Sequence, residues 1–393
     1  MEMSRRSLIK MAGVFGAGLI ANYLAGCVPK MGAPSQALTG PSLAGVNLTG
    51  AIPREAIKDE LAMDGWAFEV GIVQELIRHF SDAYGEKVAY ATIPGDYPSV
   101  MESMMINRAR VDLMYSFPAV AARFYRAGLL HDFESFWDAP AVKAQLSEPV
   151  RRAATVDGKL IGLPYFTSVE NVVYTNELSL ARAGAPSYPE TWQELYSKAR
   201  ALKGKGGVDY PLLHKWIPTW FGIAETFVQE CLNRNIALFD DQGQPLFDEN
   251  SEAAGLLEEW RGLVVDKIVP EFVLTMSETD YIDSFARGGY HFSPQQFYDG
   301  KVMNDPARSN IAGKSRFLPV TKQPWGILNV AMYLLPRQKE DDANRLSRKY
   351  RLAGYLGFQD EKGELAVAKR WAINNALGSG YPALLDDPEV VAA

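Results

Sequence analysis

Cysteine is nearly absent. Of 393 residues only Cys27 and Cys231 carry a thiol, which leaves no disulfide framework and makes Cys231 a small buried hydrophobe. Histidine is scarce too: His79, His131, His214 and His291 are scattered, and no HxxxH or CxxC pair occurs. A structural zinc site is therefore not expected. No GxSxG elbow is present, and no GxGxxG follows a strand, so neither a serine hydrolase nor a dinucleotide-binding unit is indicated. The glycine cluster Gly204, Gly206 and Gly207 lacks phosphate-loop spacing and follows a helical pattern, so it reads as a helix end and turn. No cofactor, metal or catalytic residue is expected. Positive charge is also short: the formal net charge is −7, which argues against nucleic acid as a partner. No apolar run reaches the roughly 18 residues that a membrane span needs.

What is present begins with an address. Ser4-Arg5-Arg6-Ser7-Leu8-Ile9-Lys10 matches the twin-arginine export pattern, and Met11 to Tyr23 forms a short apolar region rich in Gly and Ala. Leu24-Ala25-Gly26-Cys27 resembles a bacterial lipobox, in which Cys27 is lipidated and becomes the mature N-terminus. Residues 1–27 are thus taken as a leader, and residues 28–45, rich in Gly, Pro, Ala and Ser, as a flexible tether. The expected location is the outer side of the cell membrane, held by lipid. Roughly 350 residues remain, more than one core usually serves, so two lobes are expected.

The folded body alternates strand and helix. Ala62-Met63 opens a first strand. Val73, Leu76, Ile77, Phe80 and Tyr84 then fall at helical spacing, with Gly85 as the stop. Lys87–Ile93 and Val111–Ser116 read as further strands, each followed by a helix, and this α/β order implies parallel pairing. In Gly158–Glu177 two apolar strands meet at Pro164-Tyr165, yet carry Thr167, Ser168 and the carboxylate of Glu170. Thr191 and Glu194 fit a capping box. Later helices are expected over 251–265, 343–357 and 363–376, with a buried strand over 325–335. Asp341-Asp342 and Asp386-Asp387, paired acids near turns, read as solvated surface or as helix N-termini.

Aromatic residues recur beside polar groups near strand ends: Trp66 with Glu69; Tyr115, Ser116 and Phe117; His214, Lys215, Trp216 and Trp220; Ser293 to Tyr298; and Gln323 to Trp325. Ligands of open α/β sheets bind beyond the carboxyl ends of strands. Rings cover the apolar faces of a sugar, while Glu, Gln, Asn and Lys bond its hydroxyls.

The chain resembles an extracellular solute-binding protein of sugar-type ABC importers, the family of maltose-binding protein. The residues that carry the resemblance are Pro94-Gly95-Asp96-Tyr97-Pro98, Val111-Asp112-Leu113 running to Tyr115, and Arg126 to Leu130. Further along they are Asp157 to Tyr165 through Glu170, then Tyr174 to Glu177, Ala183 to Pro186, and Thr191-Trp192. The order holds across roughly residues 64–205 and loosens beyond. The resemblance implies a two-lobed α/β fold, each lobe a mainly parallel sheet flanked by helices, with the ligand cleft between lobes. The N-terminal lobe is expected from 46–164 plus 322–377, and the C-terminal lobe from 165–321 plus 378–393. Crossings are implied near Leu163-Pro164-Tyr165 and Pro319-Val320-Thr321.

By the same analogy Tyr115, Ser116, Glu170, Trp216, Trp220, Gln295 and Trp325 are ligand-binding, joined by Trp66 and Glu69 from the first strand end. The first-strand region departs from the family pattern. So do Ser293-Pro294-Gln295-Gln296, where a Gly-Pro-Trp-like turn is commoner, and the end at Ala393, where family members usually continue through further helices, so that either a fragment or a trimmed second lobe is expected. The function implied is capture of a mono- or oligosaccharide by a monomeric lipoprotein, with delivery to the membrane subunits of an ABC permease and no bond chemistry. Two other readings stay open: a binder of a non-sugar solute such as a polyol, and an exported glycan-active enzyme using Glu69 and Glu170. A glycosidase needs its two carboxylates about 5–9.5 Å apart.

Overall fold

The computed structural model describes residues 59–93, 97–134, 139–185, 187–218, 222–318 and 326–392. The leader with Cys27, the tether, Pro94-Gly95-Asp96, Trp220, Pro319-Val320-Thr321 and Trp325 lie outside the described residues.

In chain order the elements begin with β1 (Leu61–Trp66), α1 (Val70–Tyr84), β2 (Val88–Ile93), α2 (Tyr97–Ile106), β3 (Met114–Ser116), α3 (Pro118–Arg126) and β4 (Leu130–His131). They continue with α4 (Ala139–Gln145), α5 (Glu148–Ala153), β5 (Thr155–Val156), β6 (Lys159–Leu160), β7 (Leu163–Val169), β8 (Val172–Asn176), α6 (Glu177–Ala183) and α7 (Trp192–Ala201). Next come α8 (Ile223–Asn233), α9 (Glu252–Val265), α10 (Glu278–Ala286), β9 (Phe292–Gln295), α11 (Gly300–Met303) and β10 (Ser315–Leu318). The last are β11 (Leu328–Pro336), α12 (Ala343–Gly357), α13 (Ala366–Asn375) and α14 (Pro388–Ala392).

These elements form two compact units. The first holds residues 59–167 and 329–392, and the second holds residues 168–328. In the first unit β1 and β2 pair in parallel, from Leu61 opposite Val88 to Trp66 opposite Ile93. A parallel bridge from Met63 to Leu113 brings in the approach to β3. Strand β11 runs antiparallel to β3 and β4 and also pairs with β7. Helix α1 buries Val73, Leu76, Ile77 and Phe80, each worth about 1.5–3 kcal/mol of apolar transfer. Gly85 ends it in a left-handed conformation, φ 70°, which glycine adopts without a Cβ clash.

Helix α12 is unusual in that Arg345 to Gly357 are all buried, four basic side chains included. Arg345 pairs with Asp112 (2.6 Å) and Asp59 (2.5 Å), and Arg348 with Glu86 (2.9 Å). Lys349 pairs with Asp341 (2.9 Å), which also bonds His131 (2.8 Å). The expectation of Asp341 as a solvated acid is therefore corrected: it is the hub of a buried ion-pair group. Burial alone would raise its pKa, but the His131 hydrogen bond and the Lys349 charge bring it down to about 2.

In the second unit β8 is central, antiparallel to both β9 and β10. The only parallel contact among its described residues is the bridge Leu212–Phe292. The fold is the α/β architecture expected, but this sheet is not mainly parallel. Glu170 and Asn171 join β7 to β8, with Asn171 at φ 55°. Trp192, Tyr196, Trp216, Phe227 and Trp260 form the centre of this unit's core. Cys231 is fully buried there, and burial pushes its thiol up to about 12. Thr191 caps α7 by accepting from the Glu194 amide (3.1 Å), while Glu194 reaches back to the Glu190 amide (2.8 Å).

Two boundary expectations are corrected. The chain leaves the first unit between Thr167 and Ser168, beyond Leu163-Pro164-Tyr165. Tyr165 is locked in the first unit by ring contacts with Tyr115 (5.3 Å), Tyr333 (5.0 Å) and Trp371 (5.3 Å). The segment 378–392 belongs to the first unit and not the second. Thr167 and Gly378 exchange backbone hydrogen bonds of 2.8 Å each way, and the Ser147 amide donates to the Gly380 carbonyl. A Cβ at Gly378 would lie 2.4 Å from the Thr167 hydroxyl oxygen, so only glycine permits this approach.

Candidate solute-binding residues in each unit

In the first unit, β1 delivers Trp66 and the turn into α1 delivers Glu69. Gly65 lets Tyr90 pack close to this strand end: a Cβ there would meet the Tyr90 hydroxyl at 2.5 Å, so the tyrosine would have to shift. Trp66 is half-buried and stacks on Phe68 with centroids 6.5 Å apart; Phe68 stacks in turn on Trp371 of α13 at 6.3 Å. Glu69 is exposed and sits in the left-handed region (φ 46°, ψ 43°). Its carbonyl accepts from the Ile72 amide at the start of α1 (2.9 Å), and its Oε1 accepts from Asn375 Nδ2 (2.8 Å). A non-glycine residue at positive φ is uncommon and points to a constraint.

Tyr115 and Ser116 end β3, but both are enclosed. Tyr115 lies flat against Tyr97 at 4.5 Å, and the Tyr97 hydroxyl donates to the Tyr115 carbonyl (2.9 Å). Tyr115, expected among the ligand-binding residues, is an interior ring packed by Tyr97, Tyr165 and Tyr333.

In the second unit, the turn between β7 and β8 delivers Glu170. Its amide donates to the Ile327 carbonyl (2.9 Å). Asn171 beside it donates to Gln229 of α8 (2.7 Å) and accepts from Thr226 (3.2 Å). Glu170 is 1% exposed and takes a 2.6 Å hydrogen bond from Lys215 Nζ, itself 2% exposed. Burial opposes the lysine charge, but Glu170 and Glu225 outweigh it and raise the lysine pKa. Burial, then the Glu278 charge, lifts Asp299 well above the carboxylate range. Glu278, at the start of α10, is lifted to about 7, mainly by burial. This unit thus sets Glu170, Glu225, Glu278 and Asp299 within electrostatic reach of one lysine. Gln295 is fully buried and donates to Ser293 (2.8 Å).

Trp216 requires a correction. It is 2% exposed and sandwiched by His214 (4.5 Å) and Trp260 (4.8 Å). An aromatic beside a histidine and a lysine in a loop has the same sequence signature whether it faces solvent or core, and here the core claims it. His214 beneath it bonds the Tyr196 hydroxyl (2.8 Å), and burial lowers its pKa. Sequence reasoning noted Lys215 without selecting it. A lone charge between two aromatic residues was the available signal. Phe68, Trp371, Asn375 and Glu278 carried no comparable mark. Among the described residues no group of three or more His, Cys, Asp or Glu is placed to hold a metal ion, and no helix is long and apolar enough to cross a membrane.

The model of the bacterial extracellular solute-binding protein family matches residues 69–331. The chain belongs to that family. Its members bind solutes and are not enzymes, so the glycan-hydrolysing reading with Glu69 and Glu170 is set aside. No curated protein sequence matches this solute-binding protein. Solved structures do. The maltose-bound MalE3 of T. maritima is 18% identical, with a TM-score of 0.72 over 85% of this chain and 84% of that one. An ABC transporter solute-binding protein of Agrobacterium vitis S4 with bound D-mannitol is 18% identical, at 0.68 over 85% and 80%. One of Thermotoga lettingae TMO bound to α-D-tagatose is 17% identical, at 0.69 over 85% and 84%. At these identities the likeness establishes the two-lobed solute-binding fold.

Proposed function

We propose that this solute-binding protein is the lipid-anchored receptor of an ABC importer and that it captures a hydroxyl-rich solute, a carbohydrate or a polyol. The observation that carries the reading is the ligand set of the similar structures, which hold maltose, D-mannitol, ribitol and α-D-tagatose over most of a shared fold. The side chains are chemically suited to such a solute. Trp66, with Phe68, offers ring faces and the exposed Glu69 offers an acceptor; Glu170 stays in the proposed set as an acid whose bond to Lys215 a solute hydroxyl would have to open. The mechanism is hinge closure of two lobes on the solute, in which the bound molecule shifts an open–closed equilibrium without any covalent step. Trp220 and Trp325 remain part of the proposed ligand set.

Isothermal titration of the mature protein with maltose, D-mannitol, ribitol and D-tagatose tests the reading. At least one is expected to bind, with a change in tryptophan fluorescence. Silence from all four and from a broader panel of sugars and polyols would overturn it. The export route and the anchor are separate arms. Replacing Arg5 and Arg6 together by lysine is expected to retain the protein in the cytoplasm, and Cys27→Ser to release it from membranes. A membrane-bound Cys27→Ser protein would remove the lipid anchor from the proposal.

A further inference from the structure

We infer that Asn375 is a positioning residue of the solute site and that it acts by fixing the Glu69 carboxylate. The inference rests on the proposed binding of a hydroxyl-rich solute and adds how the first unit prepares its acceptor. Glu69, Phe68, Trp371 and Asn375 all belong to that unit.

Glu69 is an exposed acid in a turn held at positive φ. A carboxylate on such a turn ordinarily samples many rotamers, and ordering it carries an entropic cost. Here the last two turns of α13 hold the segment at two points. Trp371 stacks on Phe68 (6.3 Å, interplanar 25°), and Asn375, one helical turn further on, donates Nδ2 to Glu69 Oε1 (2.8 Å). Residues i and i+4 share a helix face, so one face of α13 grips both the ring and the acid.

Asn375 is 5% exposed, and its Oδ1 is buried without a hydrogen-bond partner. A buried amide left half-satisfied is destabilising, so stability alone does not account for asparagine at this place. Its one bond does have a use. It occupies one carboxylate oxygen of Glu69 and leaves the other, Oε2, as an acceptor on the same short segment as the Trp66 and Phe68 rings. An acceptor next to a ring is the arrangement that takes a solute hydroxyl while the solute's C–H face lies on the ring. The helix ends there because Ala376 turns to φ 54°, which places Asn375 as its last residue.

The test is a double-mutant cycle on the mature protein, with affinity for maltose and D-mannitol read by titration. Asn375→Leu keeps the branching at Cγ and removes the donor, and Glu69→Gln removes the charge. Each is expected to weaken binding about tenfold, and the double variant to be no weaker than the worse single one, since coupled residues are non-additive. An unchanged affinity for Asn375→Leu, or losses that simply add, overturns the inference. Asn375→Asp, of the same shape, stands in if the leucine variant fails to fold, and it must weaken binding too.

A second arm needs no ligand. Backbone amide exchange over residues 66–72 is expected to speed up severalfold in Asn375→Leu while the melting temperature of the protein stays within a few degrees. Equal exchange refutes the positioning role. If neither probe binds wild type, the solute reading fails for those probes, and the exchange arm still decides the role of Asn375.

Discussion

At the scale of the residue, Glu170 and Lys215 face each other in the interior of the second unit, both almost without exposure. A carboxylate in the middle of an apolar strand pair must be either paired or functional, because an isolated buried charge is too costly. That made Glu170 legible, and it is indeed paired, to Lys215 at 2.6 Å. Removing one partner of a buried pair leaves the other uncompensated and typically costs about 3–5 kcal/mol. Lys215→Met is therefore expected to lower the unfolding free energy by about that much, read by denaturant titration. A loss under about 1 kcal/mol would show that the pair is not enclosed as described. Trp216 carried no such constraint, since a ring tolerates either side of a core boundary, and its burial is decided by Trp260, 44 positions away, closing on the face opposite His214.

Glu278 adds a pH dependence. Its folded pKa is raised to about 7 by burial, above the usual carboxylate value near 4.3. The folded state therefore holds a proton that the unfolded state has released, and stability falls as pH rises from about 4 through about 7. Glu278→Gln is expected to flatten that limb, so that the variant gains on wild type at pH 8 and not at pH 4. Parallel stability curves across this range would refute the assignment.

At the scale of the element, helix bounds were the most readable feature. The pattern over 343–357 predicts a helix of the observed extent, Ala343–Gly357, because apolar spacing and the Asp342 cap are both local. What the pattern hides is that the polar residues between the apolar ones are buried as well. Their partners Asp59, Glu86 and Asp112 come from the opposite end of the chain, and no local rule reports a pairing of that range. The same limit explains the segment 378–392, whose unit is fixed by Thr167 across to Gly378.

Helix α12 is thus bound to the first sheet by charge as much as by apolar contact. Arg345→Ala removes bonds to both Asp112 and Asp59 and is expected to cost about 3–5 kcal/mol. Replacing Arg345 by methionine and Asp112 by leucine together should recover much of the loss. Recovery failing altogether would mean that the geometry of the bidentate pair, and not its charge balance, sets the helix position. The neighbouring Asp341, at about 2, has a folded pKa below its unfolded one. Its contribution is present above pH 4 and is lost as pH falls from about 4 to about 2, which sharpens acid unfolding.

At the scale of the molecule, two units share one chain that passes between them at Thr167–Ser168 and again at Leu328–Asn329. Each unit carries its own core, the second built on Trp192, Trp216 and Trp260, the first on Tyr97, Tyr115, Tyr165, Tyr333 and Trp371. Domains with separate cores need not unfold together. A solute that engages residues of both units would couple them, because it binds only when both are folded. Calorimetry of the mature protein without ligand is then expected to give a transition broader than a two-state one. A binding solute at about a thousand times its Kd should raise stability by about 4 kcal/mol and sharpen the transition into one. Stabilisation confined to one of two resolved transitions would place the solute on a single unit and would rule out capture by closure of both.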